Sequence, residues 1–544
     1  DLSKENKLQN FALIVGNPPF GTTDLSEAVR SYCDKYNFAK EMVLPFLHKA
    51  TKFAPEGEIA LIFNTKVLTN TGGTYQKFRE WLFNKCYVEK VFNFSILRNA
   101  KKNFGGQLFG DATGPISIVF YQKEQPKTPS DKITYYAPKT FIKSNVIDGL
   151  NIDFTDLKFL PREECKKPDT KIWKIAMWGG MNDWLLTDRL RKEHSNFKTY
   201  LINNNIEYGS GLHPKENENN KVFIEGSHMG TAKIEKYYTP INNTVQIKKE
   251  FRSNNLKLFK QPLAVIKEGI TNKNILSSYF DYDVHYNKAV YGFSTNEAEK
   301  LKSIVITFNS NFATYFFFLT SSSWGIERDR IVLTEYLNFP YTELSLDDLK
   351  KTQFSDISFD QKISMLNQNK NHFDFQYWES KINRLYNLSL NNIVRISDTI
   401  SFSVDLFHKQ EKSIALYPIL QEQLIKYGET ISTELNDFLE SEDLFANATV
   451  YNINRFTPLM MIKLSFANKQ KEIVTSREFI DDELKKIDNH LWKEKSSNIY
   501  FRKKLNYKTG DDIFIIRPNQ RRFWSQSMAL EDASELILEI LNGN

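Results

Sequence analysis

Two consecutive prolines, Pro18 and Pro19, stand just behind the apolar run Phe11-Ala-Leu-Ile-Val15, and this pairing constrains the chain more than any other feature. Neither proline can donate a backbone hydrogen bond and each holds φ near about −65°, so a sheet ladder cannot continue through them. The run reads as a buried strand and residues 16–21 as the stiff turn at its carboxyl end. The next hundred residues keep to the same layout. Apolar residues at helical spacing over 41–54 have Pro45 near the first turn, Gly57 precedes a strand over 58–63, and a helix over 75–84 leads to a strand over 87–92. A loop with Gly105, Gly106 and Gly110 then reaches a strand over 115–121, and Pro126 and Pro129 mark a boundary. Strand alternating with helix is the signature of α/β layering on a mostly parallel sheet.

The chain has 544 residues, of which 41% are apolar, so it can bury sizeable cores in two to four domains. Its longest apolar runs reach only five or six residues, far short of the roughly 20 that cross a bilayer, and no membrane partner is expected. Cys33, Cys86 and Cys165 are far apart and lack CxxC or CxH spacing, which argues for a reducing, cytoplasmic setting and against a metal site. Residues 130–345 mix short strand-like runs (222–225, 263–266, 289–293) with Asn-rich turns and read as an α+β domain. From 346 to 544 the pattern is mainly helical, over 377–386, over 400–417 up to Pro418, and over 531–541, with one strand-like patch at 513–516.

The net charge of +6 is uneven: +5 over residues 1–130, +5 over 131–340 and −4 over the remainder. A polyanion would be met by the first two thirds, although many proteins carry such charge without touching nucleic acid.

Asn17-Pro18-Pro19-Phe20 is the sharpest local motif. It places an amide side chain, free carbonyls and an aromatic face on one rigid turn at a strand's carboxyl end, where open α/β sheets bind ligands. Asn17 Oδ1 and the Pro18 carbonyl can each accept one hydrogen of the exocyclic amine of adenine, drawing the nitrogen lone pair out of conjugation, while Phe20 stacks on the base. A paired base hides that amine, so such a site requires the base to be flipped out of the duplex. The plainer alternative is an ordinary strand-ending turn.

The stretch Ile14-Val-Gly-Asn-Pro-Pro-Phe-Gly21 resembles the catalytic motif of the amino-group DNA methyltransferases, and Glu58-Ile-Ala-Leu-Ile-Phe-Asn64, Val91-Phe-Asn-Phe94 and Ile116-Ser-Ile-Val-Phe120 resemble the later strands of their catalytic domain. Residues 200–340 are similar to the target-recognition domain of type IIG-like restriction-modification enzymes, through Ile206-Glu-Tyr-Gly-Ser-Gly-Leu-His-Pro214, Pro262-Leu-Ala-Val-Ile266, Phe308-Asn-Ser-Asn-Phe-Ala-Thr-Tyr315 and Asn338-Phe-Pro340. Ile515-Ile-Arg-Pro-Asn-Gln-Arg-Arg-Phe-Trp524 is similar to the ends of such adenine methylases. The resemblance implies a partial Rossmann-like methyltransferase domain over 1–129, a target-recognition domain over 130–345 and a helical region over 346–544. It also implies S-adenosyl-L-methionine as methyl donor, double-stranded DNA with a flipped adenine as partner, and Asn17, Pro18, Pro19 and Phe20 as the catalytic turn. One departure stands out. Only sixteen residues precede Asn17, and they hold no Gly-rich cofactor loop; Gly209-Ser-Gly211 fits the spacing but not the flanking strand and helix. The cofactor half is then expected from an upstream part or a separate chain.

Candidate DNA contacts combine basic and aromatic side chains on loops. Trp324, Arg328 and Arg330 form one group, and Lys248, Lys249, Arg252, Lys257 and Lys260 another; both read equally as a solvated face around a core Trp. Arg517, Arg521, Arg522 and Trp524 suit either DNA contact or domain packing. Glu379-Ser-Lys381 has the spacing of half a nuclease site but sits in a helical pattern, and His213 and His285 read as polar loop residues. Two other functions stay open beside the adenine methyltransferase: a DNA-binding specificity module inactive by itself, and methylation of RNA or of a protein glutamine.

Overall fold

The structure is a computed structural model, and it describes residues 10–96, 114–143, 148–151, 153–168, 170–211, 256–271, 273–281, 286, 288–350, 375–452, 458–476, 480–495, 505–510 and 512–542. It is a mixed α/β protein whose chain divides into two units, one made of residues 1–181 and 405–544 and the other of residues 182–404.

The first unit opens with strand β1 (Leu13–Gly16), helices α1 (Glu27–Tyr36) and α2 (Val43–Phe53), strand β2 (Glu58–Asn64), helices α3 (Lys66–Thr69) and α4 (Gly73–Lys85), and strands β3 (Tyr87–Asn93), β4 (Ile116–Gln122) and β5 (Lys132–Tyr136). A hairpin of β6 (Thr140–Lys143) and β7 (Asp148–Asn151) then precedes β8 (Leu157–Pro161). Six strands form one sheet in the order β1-β2-β4-β3-β5-β8. β1 and β2 run parallel, as do β3 and β5, while β4 lies antiparallel between β2 and β3. The carboxyl ends of β1, β2, β3 and β5 therefore share one edge with the start of β4.

Local chemistry explains these elements. Ser26 caps α1 by accepting from the Val29 amide at 3.4 Å, and Asn37 ends it in the left-handed conformation that Asn tolerates. Pro45 sits in the first turn of α2, where its missing N–H breaks no helical bond. β2 alternates as a half-covered strand should, with Ile59, Leu61 and Phe63 buried. Gly57 is needed where β1 begins: a Cβ there would lie 2.2 Å from the Phe11 carbonyl oxygen, and the Glu58 amide bonds Ala12 O at 2.9 Å.

β1 departs from the sequence expectation. Leu13 is 58% and Val15 71% exposed, so the run behaves as an edge strand rather than a buried one. Among the described residues β1 has one neighbour, β2, and its outer backbone groups face no partner strand.

The second unit contains the antiparallel strands β9 (Glu207–Ser210), β10 (Leu263–Lys267), β11 (Ser277–Phe280) and β12 (Val290–Ser294), ordered β11-β10-β12-β9. Helices Ala298–Asn309 and Asn311–Thr320 bury nearly every side chain of their apolar sequence, and Ser310 between them caps the second by accepting from Ala313 N at 3.1 Å. The Asn309 amide is clipped to the backbone of Ser277 on β11, at 3.2 Å and 2.9 Å.

Residues 405–542 of the first unit differ from the mainly helical expectation for 346–544. They hold a second sheet ordered β15-β13-β14-β17-β16, made of β13 (Phe445–Tyr451), β14 (Leu459–Ala467), β15 (Val474–Ser476), β16 (Leu505–Thr509) and β17 (Asp512–Pro518). Helices Gln421–Leu439 and Gln526–Leu541 contribute buried side chains to its core. The single helix expected over 400–417 is broken. A π-helical turn at Thr399–Val404 gives way to helix Asp405–Lys409, and the Asp405 carboxylate then accepts from Ser413 Oγ at 2.6 Å and Ile414 N at 3.0 Å, bending the chain into short turns before Pro418.

Candidate active site

The carboxyl edge of the first sheet collects the chemistry. Beyond β1, Asn17 and Pro19 are exposed, Pro18 is buried and Phe20 is half-buried. The Asn17 side chain is on the surface at this turn, where a ligand can reach it. Phe20 packs against a cluster of Phe94, Ile116 and Tyr136, to which Ile62, Phe92 and Ile118 also contribute. The ring centroids of Phe92 and Phe94 lie 5.4 Å and 6.0 Å from that of Tyr136. The turn thus rests on an aromatic wall built from the ends of three other strands; Phe94 closes the stretch Val91-Phe-Asn-Phe94 noted in the sequence, whereas no local motif marked Tyr136. The Tyr136 hydroxyl is buried without a partner among the described residues, and its pKa is pushed up by burial and by Asp156 and Asp153.

Under this wall a polar network fixes the strand ends. Thr65 and Ser117 hydroxyls lie 2.8 Å apart, Ser95 Oγ donates to Asn93 Oδ1 and lies 3.0 Å from Thr65 Oγ1, and Asn93 Nδ2 donates to the Tyr135 hydroxyl at 2.8 Å. All five side chains are buried, so each bond is made in a low dielectric where it resists exchange with water.

The exit of the turn is held separately. Gly21 has φ 143°, a conformation side-chain-bearing residues rarely adopt, and its carbonyl accepts from the Met42 amide at 3.0 Å. Glu41, the neighbour of Met42, is fully buried; its Oε2 accepts from the Tyr75 hydroxyl at 2.7 Å and pairs with Lys66 Nζ at 3.2 Å. Burial pushes the Glu41 carboxyl above its ordinary pKa, a rise that Tyr75 and Lys66 only partly offset. The one sign of this cluster along the chain is weak, a lone Glu just ahead of an apolar helix.

The other predicted contacts divide. Trp324 is fully buried and meets Phe318 edge-on at 5.3 Å, so its indole belongs to the core and not to a surface that stacks on bases. Arg328 is 61% exposed beside Glu327, and Arg330 is 40% exposed and bonded to Glu268 at 3.2 Å. Lys257 is exposed and pairs with Glu207 at 3.1 Å, and Lys260 is exposed. Lys248, Lys249 and Arg252 lie outside the described residues, as do His213, His285 and the strand expected over 222–225. Arg517, Arg522 and Trp524 are buried: Arg517 is bound by Asp532 and Arg522 by Asp153, at 2.6 Å for the latter. These are packing groups. Glu379 accepts from the Asn311 amide at 2.7 Å and Lys381 pairs with Asp348 at 2.9 Å, so neither is free for metal chemistry. Among the described residues no three His, Cys, Asp or Glu side chains gather as a metal site, and no helix is long and apolar enough to cross a membrane.

Residues 1–99, which hold β1, the turn, α1 to α4, β2 and β3, match the family described as Eco57I restriction-modification methylase. No curated protein matches the chain. Three solved structures are similar to parts of it. The type I restriction enzyme EcoKI M protein shares 18% identity over 26% of this chain and 29% of its own, with a TM-score of 0.21. The type IIG restriction endonuclease BpuSI shares 12% over 74% and 55%, with a TM-score of 0.28. The type IIL restriction-modification enzyme MmeI, solved in complex with DNA, shares 12% over 73% and 57%, with a TM-score of 0.39. The chain spans no more than 57% of the length of any of these three.

Proposed function

We propose that this chain carries the catalytic turn and the target-recognition region of a site-specific adenine-N6 DNA methyltransferase from a restriction-modification system. The observation that carries the reading is the Asn17-Pro18-Pro19-Phe20 turn. It lies at a strand's carboxyl end inside the stretch that matches a restriction-modification methylase family, with an exposed Asn17 amide beside a supported aromatic face.

In this reading Asn17 Oδ1 and the Pro18 carbonyl accept the two hydrogens of the adenine amine, and Phe20 stacks on the flipped ring. The prolines hold both acceptors in place before the substrate arrives, so little reorganisation is needed as positive charge develops on nitrogen. S-adenosyl-L-methionine, the donor this reading implies, supplies an electrophilic methyl group. The described residues do not fit a cradle for it. Gly209 and Gly211 flank an antiparallel strand end rather than a parallel strand-to-helix turn, so no residue of this chain is assigned to the cofactor. Among the described residues the outer edge of β1 has no partner strand, which suits pairing with a further strand, from a preceding part of a longer chain or a separate subunit, that brings the donor site. In the second unit, Arg328, Lys257 and Lys260 are exposed cations and Arg330 a half-buried one bonded to Glu268, and all four can meet DNA phosphates.

With the donor-binding part or subunit supplied, Asn17→Ala should lower methyl transfer to duplex DNA by about 10²- to 10³-fold, the usual cost of one preorganised electrostatic contact, while DNA binding persists. Undiminished transfer by that variant sinks the assigned role. Since the described residues alone do not fit a cradle, a second reading is a DNA-binding specificity module without activity of its own. It would show as sequence-specific DNA retention with no transfer even when a cofactor-binding partner is added.

A further inference from the structure

We propose that Glu41 is a positioning residue for the catalytic turn: through Lys66 and Tyr75 it fixes the backbone at the start of α2 that grips Gly21. The inference rests on the reading of the 17–21 turn as the amine-holding site. Four observations meet here. Glu41 is fully buried although it follows the exposed Lys40. Its Oε2 joins two other elements of the same edge, Lys66 just past the end of β2 and Tyr75 in the first turn of α4. The next amide, Met42 N–H, bonds Gly21 O at 3.0 Å. Gly21 itself has φ 143°, so that bond grips the chain where the turn leaves its constrained path.

The carboxylate is poorly arranged for stability alone. Oε1 is buried and has no partner among the described residues, which is costly for a group of this charge. A residue kept only to staple helices would use both oxygens or be apolar. What Glu41 does achieve is a fixed point shared by α2, α3 and α4 one residue from the bond to the turn. It does not touch the substrate; it acts through the Met42 backbone, so its loss should loosen the 17–21 turn before it loosens the sheet.

Amide hydrogen exchange at Met42 and methyl transfer to DNA, followed in the wild type, Glu41→Gln and Tyr75→Phe, test this. Glu41→Gln should speed Met42 exchange about tenfold and lower kcat by about tenfold or more with KM for DNA nearly unchanged, because a misplacement of about 1 Å at a reacting centre costs up to about 100-fold. Amides of β3 and of helix Gln421–Leu439 should keep their protection, and Tyr75→Phe should give the same pattern at smaller size. Unchanged Met42 exchange in both variants overturns the proposal. So does faster exchange spread evenly over the first unit, which marks a purely structural role. If Glu41→Gln does not fold, Tyr75→Phe and Lys66→Met decide by the same readouts. A wild-type protein that transfers no methyl group even when the donor-binding part or subunit is supplied counts against the function assigned to the turn, while Met42 exchange still decides whether Glu41 fixes it.

Discussion

Two buried carboxylates in the first unit hold the same kinds of partner and differ in how completely they are paired. Asp532 accepts from the Tyr427 hydroxyl and receives both terminal nitrogens of Arg517, so both its oxygens are used. Arg517 is itself fully buried, lies over the Phe154 ring at 4.7 Å, and lacks an acceptor only at Nε. Glu41 has a tyrosine and a cation too, but both share Oε2, the cation is a lysine with 28% of its side chain exposed, and Oε1 is left over. The difference follows from the cations. A guanidinium is a planar fork that fills a carboxylate from one side, whereas an ammonium is a point charge that binds one oxygen and stays near water. The first cluster is a closed fastening for the second sheet's core; the second is an open joint at the edge where the 17–21 turn sits.

The closed cluster should break most expensively. Arg517→Met leaves a buried carboxylate with Tyr427 alone, and removing one partner of a buried pair costs about 3–5 kcal/mol. Calorimetry should show a thermal midpoint lowered by on the order of 10 °C. A drop of only a degree or two would mean that Asp532 is rehydrated or protonated cheaply, and the contrast between the clusters would dissolve.

How far the sequence revealed either cluster depends on range. The strand, the double proline and the alternation of β2, β3 and β4 are local signals, and those elements stand where the periodicities put them. The second sheet was hidden for a physical reason. β14 reads Leu459-Met-Met-Ile-Lys-Leu and is buried on both faces at its start, so it lacks the period-two alternation that marks a half-exposed strand. Trp324 between serines and arginines looked like a surface wedge because sequence spacing cannot show that Phe318, six positions earlier on a helix, turns toward it. Glu41 was invisible as a site for a similar reason, since Tyr75 is 34 positions away and a Glu after Lys40 looks like surface charge.

A smaller loss should follow Lys66→Met. The ammonium is partly exposed and contributes one charge-assisted contact, so removing it should cost about 1–3 kcal/mol, with Glu41 remaining bonded to Tyr75. Chemical denaturation of this variant beside Arg517→Met orders the two clusters directly. Equal losses would mean that the exposed lysine holds the fold as firmly as the buried arginine, and the joint would not be open at all.

The finest distinction is in pH. The Glu41 carboxyl titrates above its ordinary value of 4.5 because burial disfavours its charged form more than Tyr75 and Lys66 favour it. In the folded protein it therefore holds its proton more tightly than in the unfolded chain. That difference stabilises the fold fully below about 4.5 and is lost as pH rises through the raised folded value. Glu41→Gln keeps the side chain neutral throughout, so the stability of wild type minus that of the variant should decline over this window and then level off. A difference that instead rises with pH would mean that Lys66 and Tyr75 outweigh burial and hold Glu41 as an anion. The joint would then be a complete ion pair, and Lys66→Met should cost nearly as much as Arg517→Met.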